Sequence, residues 1–376
     1  MGNKKIWLSS PHMGENEFKY VTEAFDLNWI SPVGPHLNKF EEKLSEISEG
    51  RDIAAVSSGT SAIHLALILL GIQNGDEVLC SSFTFSASAN PIVYQGATPI
   101  FLDSELDTWN MSPEFLELAI KDRIKRGKKP KAIILVHLYG MPAKMNEILE
   151  ISNKYDIPII EDAAEALGST YFGKPLGCIS DFGIYSFNGN KIITTSGGGA
   201  LISSDSEMIN KAKFLATQAR DDAPHYEHTH IGYNYRLSNV SASIGLGQLE
   251  VLQDRVKKRR EIFNFYKTQL SEIKEISFLD EIEGFYSNRW LTTILISEDS
   301  KITKEELRLF LEKDKIESRP LWKPMHMQPI FKDYPSYGGS NSEYLFKYGL
   351  CLPSGSNMSD EDLIRIVNKI KQAFEN

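Results

Sequence analysis

Cysteine is scarce in this chain: Cys80, Cys178 and Cys351 are the three among 376 residues, and none forms a CxxC pair. An odd, scattered set excludes a disulfide framework and fits a reducing compartment. Long apolar runs are missing as well. The most apolar helical stretch, 62–72, is interrupted by His64 and falls short of the ~18 residues that a membrane span requires. The opening residues, Met1-Gly-Asn-Lys-Lys-Ile-Trp7, contain no signal-peptide core. The expectation is a cytoplasmic protein with no membrane partner. Nor is there a basic excess: 41 Lys and Arg stand against 50 Asp and Glu, a net charge of −9. That balance argues against a nucleic-acid partner. The one locally basic run, Lys121 to Lys129, reads as the solvated end of a helix. Internal repeats and low-complexity segments are absent.

What is present is an alternation. From about Asp52 onward, short apolar runs (53–56, 77–80, 98–102, 132–137, 157–160, 200–203) alternate with stretches of helical spacing. That order predicts an α/β fold with a large, mostly parallel sheet covered on both faces. A single long helix is expected from about Val240 to Leu270. The pattern then changes, with a strand at 290–296 and helices at 304–313 and 361–374, which suggests a smaller C-terminal α+β domain. The expected division is 1–247 and 248–376. Ligands of open parallel sheets sit beyond the carboxyl ends of the strands, so the residues after each apolar run carry the interest.

Four such positions stand out. Ser58-Gly59-Thr60-Ser61 lies between a strand and a helix, where hydroxyls and first-turn amides can cradle a phosphate. The same residues also serve as a plain helix cap. Phe85 follows the 77–80 run and could lie flat on a planar ring, or belong to the core. Asp162 ends a buried strand, where a carboxylate needs a cation or several donors. Asp162, Ala163 and Glu165 also match a capping box opening a helix. Lys191 follows Tyr185-Ser186-Phe-Asn-Gly-Asn, with the triad Gly197 to Gly199 beyond it. A lysine amine at the rim of a buried strand can shed its proton and act as a nucleophile; most lysines are simply solvated. Together, a nucleophilic lysine, a carboxylate, a stacking aromatic and a hydroxyl-rich cradle describe a pyridoxal 5'-phosphate site. His225, His228 and His230, with Asp221, Asp222 and Glu227, match no zinc spacing, and no metal is expected.

The motifs Ser58-Gly-Thr60, Thr84-Phe85, Glu161-Asp-Ala-Ala-Glu-Ala-Leu-Gly168, Ser186-Phe-Asn-Gly-Asn-Lys191 and Gly232-Tyr-Asn-Tyr-Arg-Leu-Ser238 resemble the nucleotide-sugar aminotransferases of the DegT/DnrJ/EryC1/StrS family. The likeness runs from Pro11 to Gly355. It is strongest to the C4 aminotransferases of UDP-N-acetylbacillosamine pathways, with supporting runs Thr217 to Arg220, His225 to His228, Ser287 to Trp290 and Arg319 to Lys323. The resemblance implies the fold type I, aspartate aminotransferase-like architecture. It implies that Lys191 forms the Schiff base with the coenzyme and later moves its proton. Asp162 then pairs with the ring nitrogen, Phe85 stacks on the ring, and Gly59, Thr60 and Ser186 hold the phosphate. Asn234 would reach the phosphate of a neighbouring subunit, which makes the expected assembly a homodimer with shared sites. Glu165 stands where many relatives carry Gln, as it does in the bacillosamine-type subgroup. Where related dehydratases carry His, this chain has Lys191, which favours amino transfer. Substrate contacts are implied near Asn28, Trp29, Ile30 and Ser31 and near Arg319, Trp322 and His326. Positive charge for anionic substrates could come from Arg220, Arg236, Arg319 and Lys323. The expected substrates are a UDP-linked 4-keto-6-deoxy sugar and an amino-acid donor, with L-glutamate first. A GDP- or dTDP-linked sugar, or C3 amination, is the alternative.

Overall fold

The structure, a computed structural model, describes residues 4–375. In chain order its strands are β1 (Asp52–Val56), β2 (Glu77–Ser81), β3 (Thr98–Leu102), β4 (Ala132–Val136), β5 (Ile159–Asp162), β6 (Thr170–Tyr171), β7 (Lys174–Pro175), β8 (Phe182–Ser186), β9 (Gly199–Ser203), β10 (Ile276–Phe278), β11 (Phe285–Tyr286), β12 (Thr292–Ile296), β13 (Arg319–Pro320), β14 (Ser336–Tyr337) and β15 (Gly349–Leu352). The main sheet has the order β1-β9-β8-β5-β4-β2-β3-β14. Only β9 runs against its neighbours in that sheet.

Successive residues of the central strands feed two separate cores, as a period of two demands when both faces are covered. Ile133 and Leu135 of β4 pack into one apolar cluster, and Ala132 and Ile134 into the other. Ile133, Ile134 and Leu135 are fully buried, and each contributes about 1.5–3 kcal/mol. Because β1, β2, β4, β5 and β8 share one direction, their carboxyl ends converge on one side of the sheet. That side carries Ser58, Phe85, Asp162, Glu165 and Lys191.

Three features depart from the expectations above. Strand β8 lies in a stretch where the apolar pattern predicts none, because Gly183 interrupts its run. A side chain at Gly183 would overlap the Gly177 backbone, which crosses directly above it. Second, the long helix is two helices, Asn239–Glu250 and Leu252–Gln269, meeting at Val251. The first packs so tightly that a Cβ at Gly245 would overlap the Phe40 ring and one at Gly247 would crowd the Glu17 backbone. A one-residue bend leaves the apolar spacing almost unchanged, so periodicity does not report it. Third, the residues after β5 form a turn, not a helix. Asp162 and Glu165 therefore make no capping box.

The C-terminal part builds its own antiparallel sheet, β10-β12-β15-β13. Its cluster includes Ile294, Leu307, Leu350, Ile366 and Ile370. Chain order and spatial order do not coincide, however. Ile6, near the start, bridges Ile316 and joins this C-terminal cluster. Conversely, β14 returns to pair in parallel with β3 at the edge of the main sheet. Just beyond it, Asp103 accepts hydrogen bonds from the Gly339 (2.6 Å), Asn341 (3.0 Å) and Ser342 (2.9 Å) amides at the start of helix Ser340–Tyr348. Among the described residues no helix is long and apolar enough to cross a membrane.

Candidate active site

The loop after β1 opens helix Gly59–Leu69, with Ser58 as its cap accepting from the Ser61 amide at 3.0 Å. The Gly59 and Thr60 amides in the first turn have no intrahelical acceptor. Glycine at 199 lets β9 pass beneath this loop; a Cβ there would overlap Ser58 and the Gly59 amide. Ser186, at the end of β8, lies against Gly59, where an added Cβ would meet its own at 3.3 Å. Gly59, Thr60 and Ser186 thus share one wall of a cavity of about 270 Å³. Phe85, Ser88, Asp162, Glu165, Lys191, Trp290 and Trp322 line the rest.

Asp162 is buried and accepts from the Ser88 hydroxyl at 2.6 Å and the Ala164 amide at 3.2 Å. Ser88 is in turn within 2.8 Å of the Thr84 hydroxyl. This leaves Asp162 a carboxylate at the cavity wall with two donors fixing its orientation. Phe85 is 51% exposed and its ring lies 5.3 Å from that of Trp322, so it is not a core residue.

Lys191 Nζ sits 3.7 Å from Glu165 Oε1 and 4.2 Å from the centre of the Trp290 ring. Glu165 Oε2 accepts from the Tyr139 amide at 2.7 Å. Burial pushes the Glu165 carboxyl above its ordinary range, against the opposing pull of Lys191 and the Tyr139 amide. Tyr139 holds a left-handed backbone conformation (φ 53°), which turns its amide toward Glu165 and stacks its ring between Trp290 and Trp322. Asn288 ties these parts together. Its side-chain amide donates to the Glu165 (3.0 Å) and Leu167 (2.9 Å) carbonyls, while its Oδ1 accepts from the Trp290 amide at 2.8 Å.

Behind Asp162 lies a fully buried pair, Glu161 and His137. Glu161 accepts from His137 Nε2 (3.0 Å), from the Gly177 (2.9 Å), Ile179 (2.7 Å) and Ser180 (2.6 Å) amides, and from the Ser180 hydroxyl (3.0 Å). The Ala143 amide donates to His137 Nδ1 at 3.2 Å, which assigns the ring proton to Nε2. Burial works against ionising Glu161, but His137 and the surrounding amides outweigh it and hold the carboxyl below its ordinary range. Stability from this group is therefore present above the unfolded value of about 4.3 and is lost as pH falls through the lower folded value. Glu161→Gln turns an NH₂ toward fixed donors and is expected to cost about 3 kcal/mol at pH 7. Urea denaturation of both proteins from pH 7 down to pH 3 checks this. The difference should shrink only at the acidic end.

The other expected site residues are more dispersed. Asn28, Trp29, Ile30 and Ser31 do not line this cavity; the Trp29 and Ser31 carbonyls accept from Asn239 and the segment is largely exposed. Asn234 is exposed, bridges Thr217 and also lies outside the cavity of its own chain. Arg319 lines a second cavity of about 640 Å³, where it is paired with Glu317 at 2.8 Å. Trp322 borders both cavities. His326 lines neither. It is held by Ser82 Oγ at 2.6 Å and Glu343 Oε1 at 3.0 Å, which fasten the loop carrying Phe85 to the C-terminal part. Arg236, a candidate for substrate charge, is instead partly buried and paired with Glu41. Arg220 lies 4.6 Å over the exposed Tyr226 ring. Among the described residues no group of three His, Cys, Asp or Glu side chains is arranged to hold a metal.

Sequence reasoning passes over Ser88, Tyr139, Asn288 and Trp290 as site residues. Ser88 and Tyr139 come from loops after β2 and β4, where the strand-end rule can find them. Asn288 and Trp290 arrive from the loop before β12, about a hundred residues beyond Lys191; the run Ser287 to Trp290 carries the family resemblance, but nothing in it assigns them to the site.

The donor set fits pyridoxal phosphate. A cavity of 270 Å³ lies near the lower bound of small-molecule sites, about 300 Å³. It offers one amine, one oriented carboxylate, one exposed ring and first-turn amides beside two hydroxyls, matching an aldehyde, a pyridine nitrogen, a ring face and a phosphate. Comparison with known proteins agrees. The sequence pattern of the DegT/DnrJ/EryC1/StrS aminotransferase family matches residues 11–371. EpsN of Bacillus subtilis strain 168, whose name assigns it pyridoxal phosphate-dependent aminotransferase activity, is 52% identical over 99% of this chain and 96% of its own. The GDP-perosamine synthase of Escherichia coli O157:H7 is 38% identical, covering 99% of each chain. The UDP-4-amino-4,6-dideoxy-N-acetyl-beta-L-altrosamine transaminase of Campylobacter jejuni is 33% identical over 98% of this chain and 99% of its own. Among solved structures, Helicobacter pylori PseC, an aminotransferase involved in the biosynthesis of pseudoaminic acid, superposes with a TM-score of 0.91 at 25% identity, covering 99% of this chain and 100% of that one. With a lysine at the mouth of the cradle and this likeness along its whole length, the chain belongs to the DegT/DnrJ/EryC1/StrS aminotransferase family.

Proposed function

We propose that this transaminase moves an amino group from an amino acid, L-glutamate first, to C4 of a UDP-linked 4-keto-6-deoxy-N-acetylhexosamine. The product is of the UDP-4-amino-4,6-dideoxy-N-acetylglucosamine type. The observation that carries the reading is the placing of Lys191, Glu165 and Asp162 on one small cavity. That cavity shares Asn190, Trp290 and Trp322 with a larger one of about 640 Å³, roomy enough for the bulk of a sugar nucleotide.

Pyridoxal phosphate supplies an aldehyde that condenses with amines and a ring that accepts electrons from the reacting carbon. The chain's own residues do the rest. Lys191 Nζ holds the coenzyme and, once freed, carries the proton to and from the reacting carbon. The Asp162 carboxylate, turned by Ser88, keeps a proton on the ring nitrogen. Phe85 covers a ring face, and the Gly59 and Thr60 amides with the Thr60 and Ser186 hydroxyls take the phosphate. Glu165, with its carboxyl pushed up by burial, can carry a proton and donate toward the ring oxygen. Asn28 to Ser31 and Asn234 then act across a dimer interface, so that a second copy completes each site. Exposed Phe18, Phe25, Leu27, Trp29, Ile30, Val33 and Ile231 support such an interface. Arg319 and Trp322 face the sugar nucleotide from the larger cavity, and His326 holds their segment against the Phe85 loop.

A buried glutamate at 165, as in the bacillosamine-type subgroup, favours the UDP-linked N-acetyl sugar. The 38% identity to a GDP-perosamine synthase supports a GDP-linked 4-keto-6-deoxy sugar as the second reading. Purified protein assayed with UDP-, GDP- and dTDP-linked 4-keto sugars and L-glutamate decides between them. The UDP-N-acetyl substrate is expected to exceed the others in kcat/KM by at least about tenfold, since bases and C2 groups are read by direct hydrogen bonds. Turnover confined to the GDP sugar would establish the second reading.

A further inference from the structure

We propose that Trp290 is a positioning residue for the amine of Lys191: its indole face is the resting place of the ammonium whenever Lys191 is free of the coenzyme. This rests on the reading of Lys191 as the coenzyme's amine. Lys191 Nζ lies 4.2 Å from the centre of the Trp290 ring and 3.7 Å from Glu165 Oε1. The lysine side chain is 12% exposed, so water is largely excluded from this contact. A cation over an indole face is attracted by the negative charge of the ring's centre, and the attraction grows when water is removed.

Trp290 is built to stay in place. It is 1% exposed, and its indole N–H donates to the Asn190 carbonyl at 2.7 Å. Its backbone amide donates to Asn288 at 2.8 Å, and its carbonyl accepts from the buried guanidinium of Arg259. Arg259 reaches Ser9 Oγ at 2.9 Å from its other nitrogen. The ring of Tyr139 stacks behind, 6.3 Å away and 17° from parallel. One side chain therefore grips the backbone carbonyl immediately before Lys191 and faces the amine of Lys191 itself. Packing alone would call for an apolar group of this size. It would not call for an electron-rich face beneath the nitrogen or a donor aimed at residue 190.

The consequence is directional. A lysine displaced by an incoming amine has somewhere to wait, charged and close by, rather than drifting into the larger cavity that Trp290 also lines. From that position it can return a proton without crossing water.

The test uses the full-length apoprotein. Tryptophan analogues with one, two and three fluorines are placed at position 290 by nonsense suppression, and Lys191 is labelled at pH 8 with a small amine-reactive reagent and quantified by mass spectrometry. Fluorine withdraws charge from the ring face but preserves its shape. The labelling rate of Lys191 is expected to rise stepwise, by about tenfold across the series. Trp290→Phe should fall within the series and Trp290→Leu at or above its top. A flat response to fluorine would overturn the proposal and leave Trp290 as packing. In parallel, the native holoenzyme is reduced with borohydride and the modified peptide mapped. Coenzyme on Lys191 with flat labelling retains the functional reading and removes this one; coenzyme on another residue overturns both.

Discussion

Lys191→Ala is expected to lower turnover by at least about 10⁴-fold, because it removes at once the nucleophile and the group that moves the proton. The coenzyme's Schiff-base absorbance should vanish, and borohydride should no longer fix the coenzyme to the protein. The fold should survive. Nothing in either core depends on the lysine, and its loss leaves Glu165 buried without its nearby cation. Burial already pushes that carboxyl up, so removing Lys191 pushes it further, and Glu165 takes a proton in place of a partner. Far-ultraviolet dichroism and a urea midpoint close to that of the parent would show that activity, not structure, was lost. Retention of more than about one per cent of turnover would mean that another amine does the work.

Asp162→Asn is the second large effect, a fall of about 10³-fold in the first half-reaction. Asparagine keeps the size of the side chain; its carbonyl oxygen can still accept from the Ala164 amide, while its NH₂ stands where Oδ2 was and the Ser88 hydroxyl can turn to accept from it. The charge is lost, together with one acceptor oxygen. Without that charge, a protonated ring nitrogen in a buried site has no counter-ion, and the ring is a weaker acceptor for electrons from the reacting carbon. Coenzyme affinity should weaken at the same time by about tenfold, roughly 1.4 kcal/mol. Single-turnover measurement with the amino donor, beside a coenzyme titration, separates the two. A half-reaction slowed less than tenfold would remove Asp162 from its assigned place. Ser88→Ala, which loosens the carboxylate without discharging it, should do less.

The centre of this site is legible in the amino-acid sequence because its members follow strands. Thr60, Phe85 and Asp162 each come within a few residues of a strand that the apolar runs predict, and the parallel order of the sheet brings those ends together; Ser186 and Lys191 follow β8, which those runs do not predict, and are marked by the motif around the lysine. What is not legible depends on distance along the chain or on backbone shape. Trp290 and Asn288 reach the site from the loop between β11 and β12. Tyr139 matters through a left-handed turn that no side-chain pattern announces. Glu165 has the right spacing for a capping box, but the residues after Asp162 turn instead of coiling, and its carboxylate goes to Tyr139. His326 carries chemistry that would suit a ligand, yet Ser82 and Glu343 occupy both its nitrogens. The same limit applies to the fold. Strands β2, β3 and β4 are nearly as the apolar runs place them, whereas two-residue β14 is too short to leave a trace.

That small strand governs how the molecule can be taken apart. Without Ser336 and Tyr337, the outer amides and carbonyls of β3 would face solvent as an open template, the sort of border along which chains stick to one another. A fragment ending near residue 247 would be born with that border bare and is therefore a poor candidate for independent production. The carboxylate of Asp103, gripping the first turn of the 340–348 helix, is a second tie between the same two stretches of chain, and such a fragment would lose it as well.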